Sequence, residues 1–434
     1  MKKQLISICL LAAFFACKNR DTQAPAAEQA FVKIENGRMT VDGKPYVFIG
    51  TNFWFGPLLG SVGQGGDRAR LAQELTFMQS LGINNLRILV GADGPSGQAV
   101  KIRPTLQPEP GVYNDTIFDG LDYLLSELGK RRMYAVLYLN NSWEWSGGYG
   151  QYLHWAGRGE VPEAGVRDWE AFQRHVAQYA TCGECKELFF NHVKHVLGRT
   201  NRYTGRRYTD DPAILSWQVG NEPRAFSGDA KAPFAEWVAE AAHLIRSLDR
   251  NHLVSIGNEG AMGCENDLSL YEKIHADPNV DYLTLHIWPK NWSWIDTADV
   301  RGSVAAAIAA TGTYIQTHLD VAARLNKPLV IEEFGFPRDH HLYSPDDPTT
   351  ARDQYYEYIF RQVISSAEAQ GFLSGCNFWA WGGSARPAHT YWQPWDDYVG
   401  DPAQEEQGLN AVFDTDATVG LIARTLKNTV FIVQ

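Results

Sequence analysis

Eight short apolar runs, separated by longer amphipathic stretches along 434 residues, constrain this chain more than any other feature. They lie at 47–52, 85–90, 134–140, 214–220, 253–257, 282–287, 329–333 and 376–381. Runs this short, without polar alternation, fit strands covered on both faces, as in a parallel sheet. The stretches 67–81, 115–132, 230–248, 304–325 and 350–369 carry the helical period between them. Eight strands with intervening helices predict an α/β fold, a (β/α)8 TIM barrel, with reactive groups at the C-terminal strand ends. A hairpin within residues 31–45, turning at Glu35-Asn36-Gly37, is expected to floor it.

Two of the runs end in glutamate. In Asn221-Glu222-Pro223 the proline blocks continuation of the strand, so the chain turns and leaves the Glu222 carboxyl at the rim. Glu332 and Glu333 are neighbours, so on a regular strand they face opposite ways and only one is expected to enter the barrel. A lone glutamate at a strand end often just caps a helix or pairs with an arginine. Two together point to glycosidic bond cleavage, where one carboxyl protonates the leaving oxygen and the other attacks or supports the sugar carbon. The remaining strand ends supply Arg87, Asn140, Asn141 with Trp143 just beyond, Asn221, His286, Trp288, Trp379 and Trp381. Each has a structural alternative as ion-pair arginine, buried histidine or core tryptophan; their convergence on one rim argues for a site.

Composition agrees with a sugar substrate. The 14 Trp, 19 Tyr and 20 Phe offer flat apolar faces on which sugar rings lie. A formal charge of −11 with no basic run argues against nucleic acid, and a neutral polysaccharide is indifferent to it. At the amino end Lys2 and Lys3 precede an apolar segment, 5–15, too short to span a membrane, and then Ala16-Cys17. Residues 1–17 thus resemble a bacterial lipoprotein signal, 18–30 read as a flexible tether, and 31–434 as a single catalytic domain. The expected location is the cell envelope, with a lipid on Cys17 as the sole membrane link. Phe14, where such signals more often carry Leu, leaves ordinary secretion as the alternative.

Cys182-Gly183-Glu184-Cys185 followed by His192 and His195 has the look of a metal site, but only six residues separate Cys185 from His192. Zinc modules need a longer gap, so a local disulfide or two free thiols is the expectation, with both histidines on the surface or flank of a helix over 186–200.

Taken together, Leu86-Arg87-Ile88, the run 217–224, Leu285-His286-Ile287-Trp288-Pro289, the run 331–335 and Phe378-Trp379-Ala380-Trp381-Gly382 resemble glycoside hydrolase family 5. The stretches 141–152 and 199–214 are similar to its β-mannan-degrading subfamily, and the resemblance covers nearly all of residues 31–430. It implies a retaining double displacement with no metal or organic cofactor. In it Glu222 is the acid/base, Glu333 the nucleophile, Asn221 holds the sugar 2-hydroxyl, Arg87 keeps Glu333 ionised and His286 supports Glu222. Many members carry Tyr where this chain has Trp288, so a hydroxyl to the nucleophile is missing. Trp379 is the expected floor for the cleaved sugar, with Trp54, Asn141, Trp143 and Trp381 as further substrate contacts. The implied partner is a β-mannan polysaccharide or oligosaccharide, acted on by a monomer. Cleavage of a β-1,4-glucan, or a non-catalytic glycan-binding lipoprotein, are the alternatives.

The segment 143–211 is far longer than one barrel helix requires. Its Trp145, Tyr149, Tyr152, Trp155 and Trp169 either line an open cleft, giving endo action, or wall one end off, giving an exo-β-mannosidase. Endo is the expectation, because similar Trp-Gly-Gly-Gln-Tyr segments occur in endo-acting relatives.

Overall fold

A computed structural model describes residues 29–95, 102–162 and 168–427. The expected signal over 1–17 and most of the tether lie outside the described residues.

The barrel strands are β1 (Phe48–Asn52), β2 (Asn85–Leu89), β3 (Tyr134–Tyr138), β4 (Ile214–Gln218), β5 (Leu253–Ser255), β6 (Leu283–Ile287), β7 (Leu329–Phe334) and β8 (Leu373–Phe378). They form one eight-stranded sheet in the order β5-β4-β3-β2-β1-β8-β7-β6, and every pairing is parallel. Between β5 and β6 the Asp281 N–H donates to the Val254 carbonyl at 2.8 Å, so the sheet curls nearly closed. This is the expected (β/α)8 barrel.

Its floor is a three-stranded antiparallel sheet, Lys33–Glu35, Arg38–Val41 and Lys44–Pro45. Asn36 (φ 52°) and Gly37 (φ 72°) both take the left-handed conformation that a two-residue hairpin turn requires. Val32, Met39, Val41 and Tyr46 pack against Phe48, Val136, Leu215 and Val330 of the barrel strands, which seals that end with apolar surface.

Helices Arg68–Leu81, Asp115–Arg131, Lys231–Leu248, Val300–Leu325 and Thr350–Glu368 fall where periodicity placed them. Asp67, Asn114 and Asp299 cap three of them by accepting backbone N–H bonds.

Two strands depart from expectation. β8 begins three residues before the expected 376, and within it Gly375 lies against the Phe48 ring, which a Cβ would meet at 2.6 Å. The chain leaves the sheet at Phe378, and Trp381 starts a separate short strand, Trp381–Gly383, paired with Val412–Phe413. In β7 the register against β6 slips between Ile331 and Glu333. That irregularity breaks strict alternation and turns both Glu332 and Glu333 inward, where regular geometry admits one.

The enlarged segment after β3 folds into helices Gly148–Trp155, Trp169–Val176 and Gly183–Leu197. Cys182 and Cys185 form a disulfide at the start of the last of these. His192 is fully buried, against expectation, because its Nε2 pairs with the Val90 carbonyl at 2.8 Å. His195 stacks on Tyr113 at 3.8 Å. Tyr149 and Tyr152 are core residues; Tyr149 lies flat on Tyr179, and the partly buried Trp155 meets Tyr152 edge-on.

Candidate active site

A cleft of about 520 Å³ opens over the C-terminal strand ends. At its floor Arg87, fully buried on β2, fans out to four partners. Its Nε donates to Gln218 Oε1 (2.8 Å), Nη1 to Asn52 Oδ1 (3.1 Å) and to Glu333, and Nη2 to Asn221 Oδ1 (2.9 Å). The guanidinium also lies over the Tyr138 ring at 4.3 Å. A planar fork saturated in this way holds Glu333 in one orientation. Glu332 sits one layer deeper, accepting from Tyr282 Oη (2.9 Å) and Gln218, and burial raises its pKa.

Glu222 occupies the tip of the β4 run in a left-handed conformation (φ 51°), a strained state for a glutamate and one that functional sites often hold. His286 Nδ1 lies 2.8 Å from one Glu222 oxygen and 3.3 Å from Glu333, and the Trp143 indole N–H donates to the other Glu222 oxygen. Oxygens of Glu222 and Glu333 approach within 4.8 Å. That closeness matches retaining glycosidases, with carboxyls about 5–5.5 Å apart, and leaves no room for the water that widens inverting sites to about 6.5–9.5 Å.

The electrostatics separate the groups. Burial alone would raise the Glu333 pKa, but the charges of His286 and Arg87 outweigh it and hold Glu333 below the ordinary carboxylate range. Burial would lower His286; Glu333 and the bond to Glu222 instead lift it to about 9, so the imidazole is a cation at neutral pH. Glu222, His286 and Glu333 are the one group among the described residues spaced to hold a metal ion. In this arrangement His286 lies between the two carboxylates, within reach of both.

Of the other expected residues, Asn221 and Trp379 line the cleft, as do Trp143 and Trp288. Trp288 meets Trp379 edge-on (6.1 Å, 74°), while Glu333 takes its bonds from Arg87 and His286 rather than from that indole. Three expected substrate contacts are corrected. Trp54 is 1% exposed and spends its N–H on the Gly400 carbonyl (2.6 Å). Trp381, wholly buried, bonds Glu74 at 2.8 Å. Asn141 is buried and tied to Ser146, Asn221 and the Trp143 N–H, so it braces the site without facing the cleft. Of the long segment's named aromatics, only Trp145 and Trp169 line the cleft.

Sequence reading missed three carboxylates that line the cleft, Glu144, Glu259 and Glu405. Glu259 follows β5, where Gly257 (φ 83°) makes a turn in which a Cβ would fall 2.0 Å from the Gly220 carbonyl. Its pKa is lifted to about 7 by burial and by the Glu222 charge, and Arg224 Nη1 lies 3.3 Å away. Glu405 lies on a loop after β8 and is raised to about 8, by withdrawal from water and then by Asp401. That loop is fixed from behind. Asp401 accepts from the N–H groups of Gly408 (2.8 Å), Asn410 and Ala411 (3.2 Å each), while buried Arg352 donates to the carbonyls of Leu409 (2.6 Å) and Ala411 (2.9 Å). Arg338 binds the Gly408 carbonyl (3.1 Å) and pairs with Asp416 (2.8 Å). Pro402, Gln404, Glu405 and Asn410 are thereby presented to the cleft.

A near-closed parallel barrel with two opposed carboxylates at its strand ends defines the class: a (β/α)8 glycoside hydrolase. Residues 29–433 match the family described as GH family 5 beta-mannosidase-like, and the chain belongs to it. A family 5 mannosidase from Rhizomucor miehei is 36% identical, superposing with a TM-score of 0.86 over 93% of this chain and 98% of its own. A variant of that enzyme with one glutamate replaced by alanine, solved with mannosyl-fructose, is equally similar at 36% identity, TM-score 0.86 and the same coverage, 93% and 98%. Mannan endo-1,4-beta-mannosidase 1 of Oryza sativa subsp. japonica is 30% identical over 374 residues, 83% of this chain and 80% of its own.

Proposed function

We propose that this glycosidase hydrolyses β-1,4-mannosidic bonds in mannan, glucomannan or galactomannan by double displacement, as an endo-mannanase. The observation that carries the chemistry is the Glu222–Glu333 pair within 4.8 Å, with Arg87 and His286 biasing Glu333 toward the anion. Glu333 attacks the anomeric carbon of a sugar resting on Trp379 while Glu222 protonates the departing oxygen. Glu222 then removes a proton from water, which displaces Glu333 and releases the sugar with its β configuration. Asn221, locked onto Arg87, is placed to bond the sugar 2-hydroxyl. The mannan reading draws on the rice relative's name and on the mannosyl ligand in the R. miehei structure.

A second reading is exo action on terminal mannose, and one observation favours it. Trp145, from the segment after β3, and Pro402, Gln404, Glu405 and Asn410, from the loop after β8, both add lining to the cleft beyond the strand ends. Digestion of mannan, glucomannan and cellulose, followed by viscosity, free mannose and proton NMR of the fresh products, separates the readings. Falling viscosity with β-configured oligosaccharides from mannan is the expected result. Mannose from the outset at constant viscosity selects the exo reading, cellulose as the preferred polymer rejects the mannan reading, and initial α product rejects double displacement.

We further propose that the protein is exported and lipid-anchored through Cys17. Labelling with a palmitate analogue, lost on Cys17→Ser, is the expected outcome.

A further inference from the structure

Glu332 is a buried carboxyl with no part in the double displacement. It does not line the cleft, and burying an acid costs free energy that a regular strand avoids by turning the side chain outward. The slip in β7 instead brings it beneath Arg87, with its Oε2 3.8 Å from Arg87 Nε. Between the two lies Gln218, equally buried. Its Oε1 accepts from Arg87 Nε (2.8 Å), and its Nε2 donates to Glu332 and to Ser255 Oγ (3.0 Å).

An amide has two unlike ends, so the sense in which Gln218 sits matters. Turned over, it would set its NH2 against the Arg87 Nε–H, donor against donor, and the guanidinium would lose the contact that fixes its tilt. What stands at the far end decides. Ser255 carries a hydroxyl, which gives or accepts equally well and so does not choose. Glu332 does choose, because its Oε2 only accepts. That holds in either charge state: a proton on Glu332 belongs on Oε1, where Tyr282 Oη (2.9 Å) can take it while giving its own to Ser216 Oγ (2.8 Å). Asn52 ties the same residues from the other side, its Nδ2 on the Glu332 carbonyl (2.8 Å) and its Oδ1 on Arg87 Nη1 (3.1 Å). We infer that Glu332 is a positioning residue: by accepting from Gln218 it fixes the sense of that amide, and through it aims Arg87 Nη1 at Glu333 and Nη2 at Asn221. The nucleophile is thus oriented by its own sequence neighbour, through Gln218 and Arg87 in turn.

The inference rests on Glu333 as the nucleophile, and its test keeps the two apart. Glu332→Leu fills the space but offers Gln218 no acceptor, whereas Glu332→Gln has the same shape and offers an amide oxygen. On mannohexaose Glu332→Leu should lower kcat about 30-fold with KM within about twofold, and Glu332→Gln should keep most of the activity. In a Gln218→Leu background Glu332→Leu should cost less than about twofold more, because the link is already cut. The acid limb of kcat/KM follows ionisation of Glu333, which faces Arg87, His286 and Glu222 and feels the charges of Glu259 and Glu405. In Glu332→Leu that limb should move up by about one pH unit, since a misaimed Arg87 favours the anion less. Glu332→Met, flexible enough to repack, gives the same readings if the leucine variant does not fold. Losses that multiply in the double variant, or a limb that stays in place, as a merely structural role gives, overturn the inference. So does a limb that moves down, the result of simply deleting a nearby negative charge. Wild-type turnover in Glu333→Gln would instead remove the nucleophile assignment itself.

Discussion

The floor of the cleft and its rim are built on opposite principles. On the floor, Arg87, Gln218, Asn221, Glu332 and Glu333 stand on or at the ends of barrel strands, are almost wholly buried, and bond mainly to one another. At the rim, Trp169 and Gln404 come from long connections and keep exposed surface, with Glu405 half-buried beside Gln404. The floor fixes which bond breaks; the rim can alter which chain is accepted without disturbing it.

If that division is right, floor substitutions remove turnover and rim substitutions redistribute it. Glu333→Gln should cut kcat at least about 1,000-fold on every substrate, measured on purified protein of unchanged circular dichroism. Retention of wild-type turnover removes Glu333 from the mechanism.

Arg87→Met comes next. Loss of its guanidinium strands Glu333 and Glu332 in a buried site, and unfolding by denaturant should show a loss of about 3–5 kcal/mol. Turnover should fall with it.

His286 gives a pH signature. Its folded-state pKa, about 9, is raised above the ordinary 6.5, so the stability it contributes is complete below 6.5 and disappears as pH rises through 9. Glu333 is depressed, so its contribution is present above the ordinary carboxylate range and is lost as pH falls through its lowered value. The melting temperature should therefore drop between pH 6.5 and 9, and His286→Ala should flatten that limb. A limb of equal slope in the variant assigns the loss elsewhere.

The smallest effect belongs to the periphery. The Cys182–Cys185 bond closes a loop of only four residues, so Cys182→Ser/Cys185→Ser should cost no more than about 2 kcal/mol and leave kcat within about twofold. A larger loss makes the segment after β3 a part of the floor's stability.

The same division governs what the sequence made legible. Strand runs betray themselves by unbroken apolar character, so the barrel, its hairpin floor and the strand-end residues Arg87, Glu222, His286 and Glu333 were readable. Where backbone departs from its period the reading failed: no local signal marks the β7 slip that turns Glu332 inward, or the end of β8 at Phe378 that leaves Trp381 on a separate strand in the core. Rim residues were harder still. Glu259 and Glu405 sit in irregular connections, and their meaning comes from anchors dozens of residues away, such as Arg338 and Arg352.

Those two arginines carry a consequence for how such an enzyme changes over generations. Arg338, Arg352, Asp401 and Asp416 fix the path of the 398–411 loop, yet none of them lines the cavity that substrate enters. Inheritance can hold those four constant while codons 404 and 405 drift. A lineage, or a saturation library at those two positions, thus samples new appetites on an unaltered frame, whereas a transplanted loop lacking its distant arginines arrives without a shape.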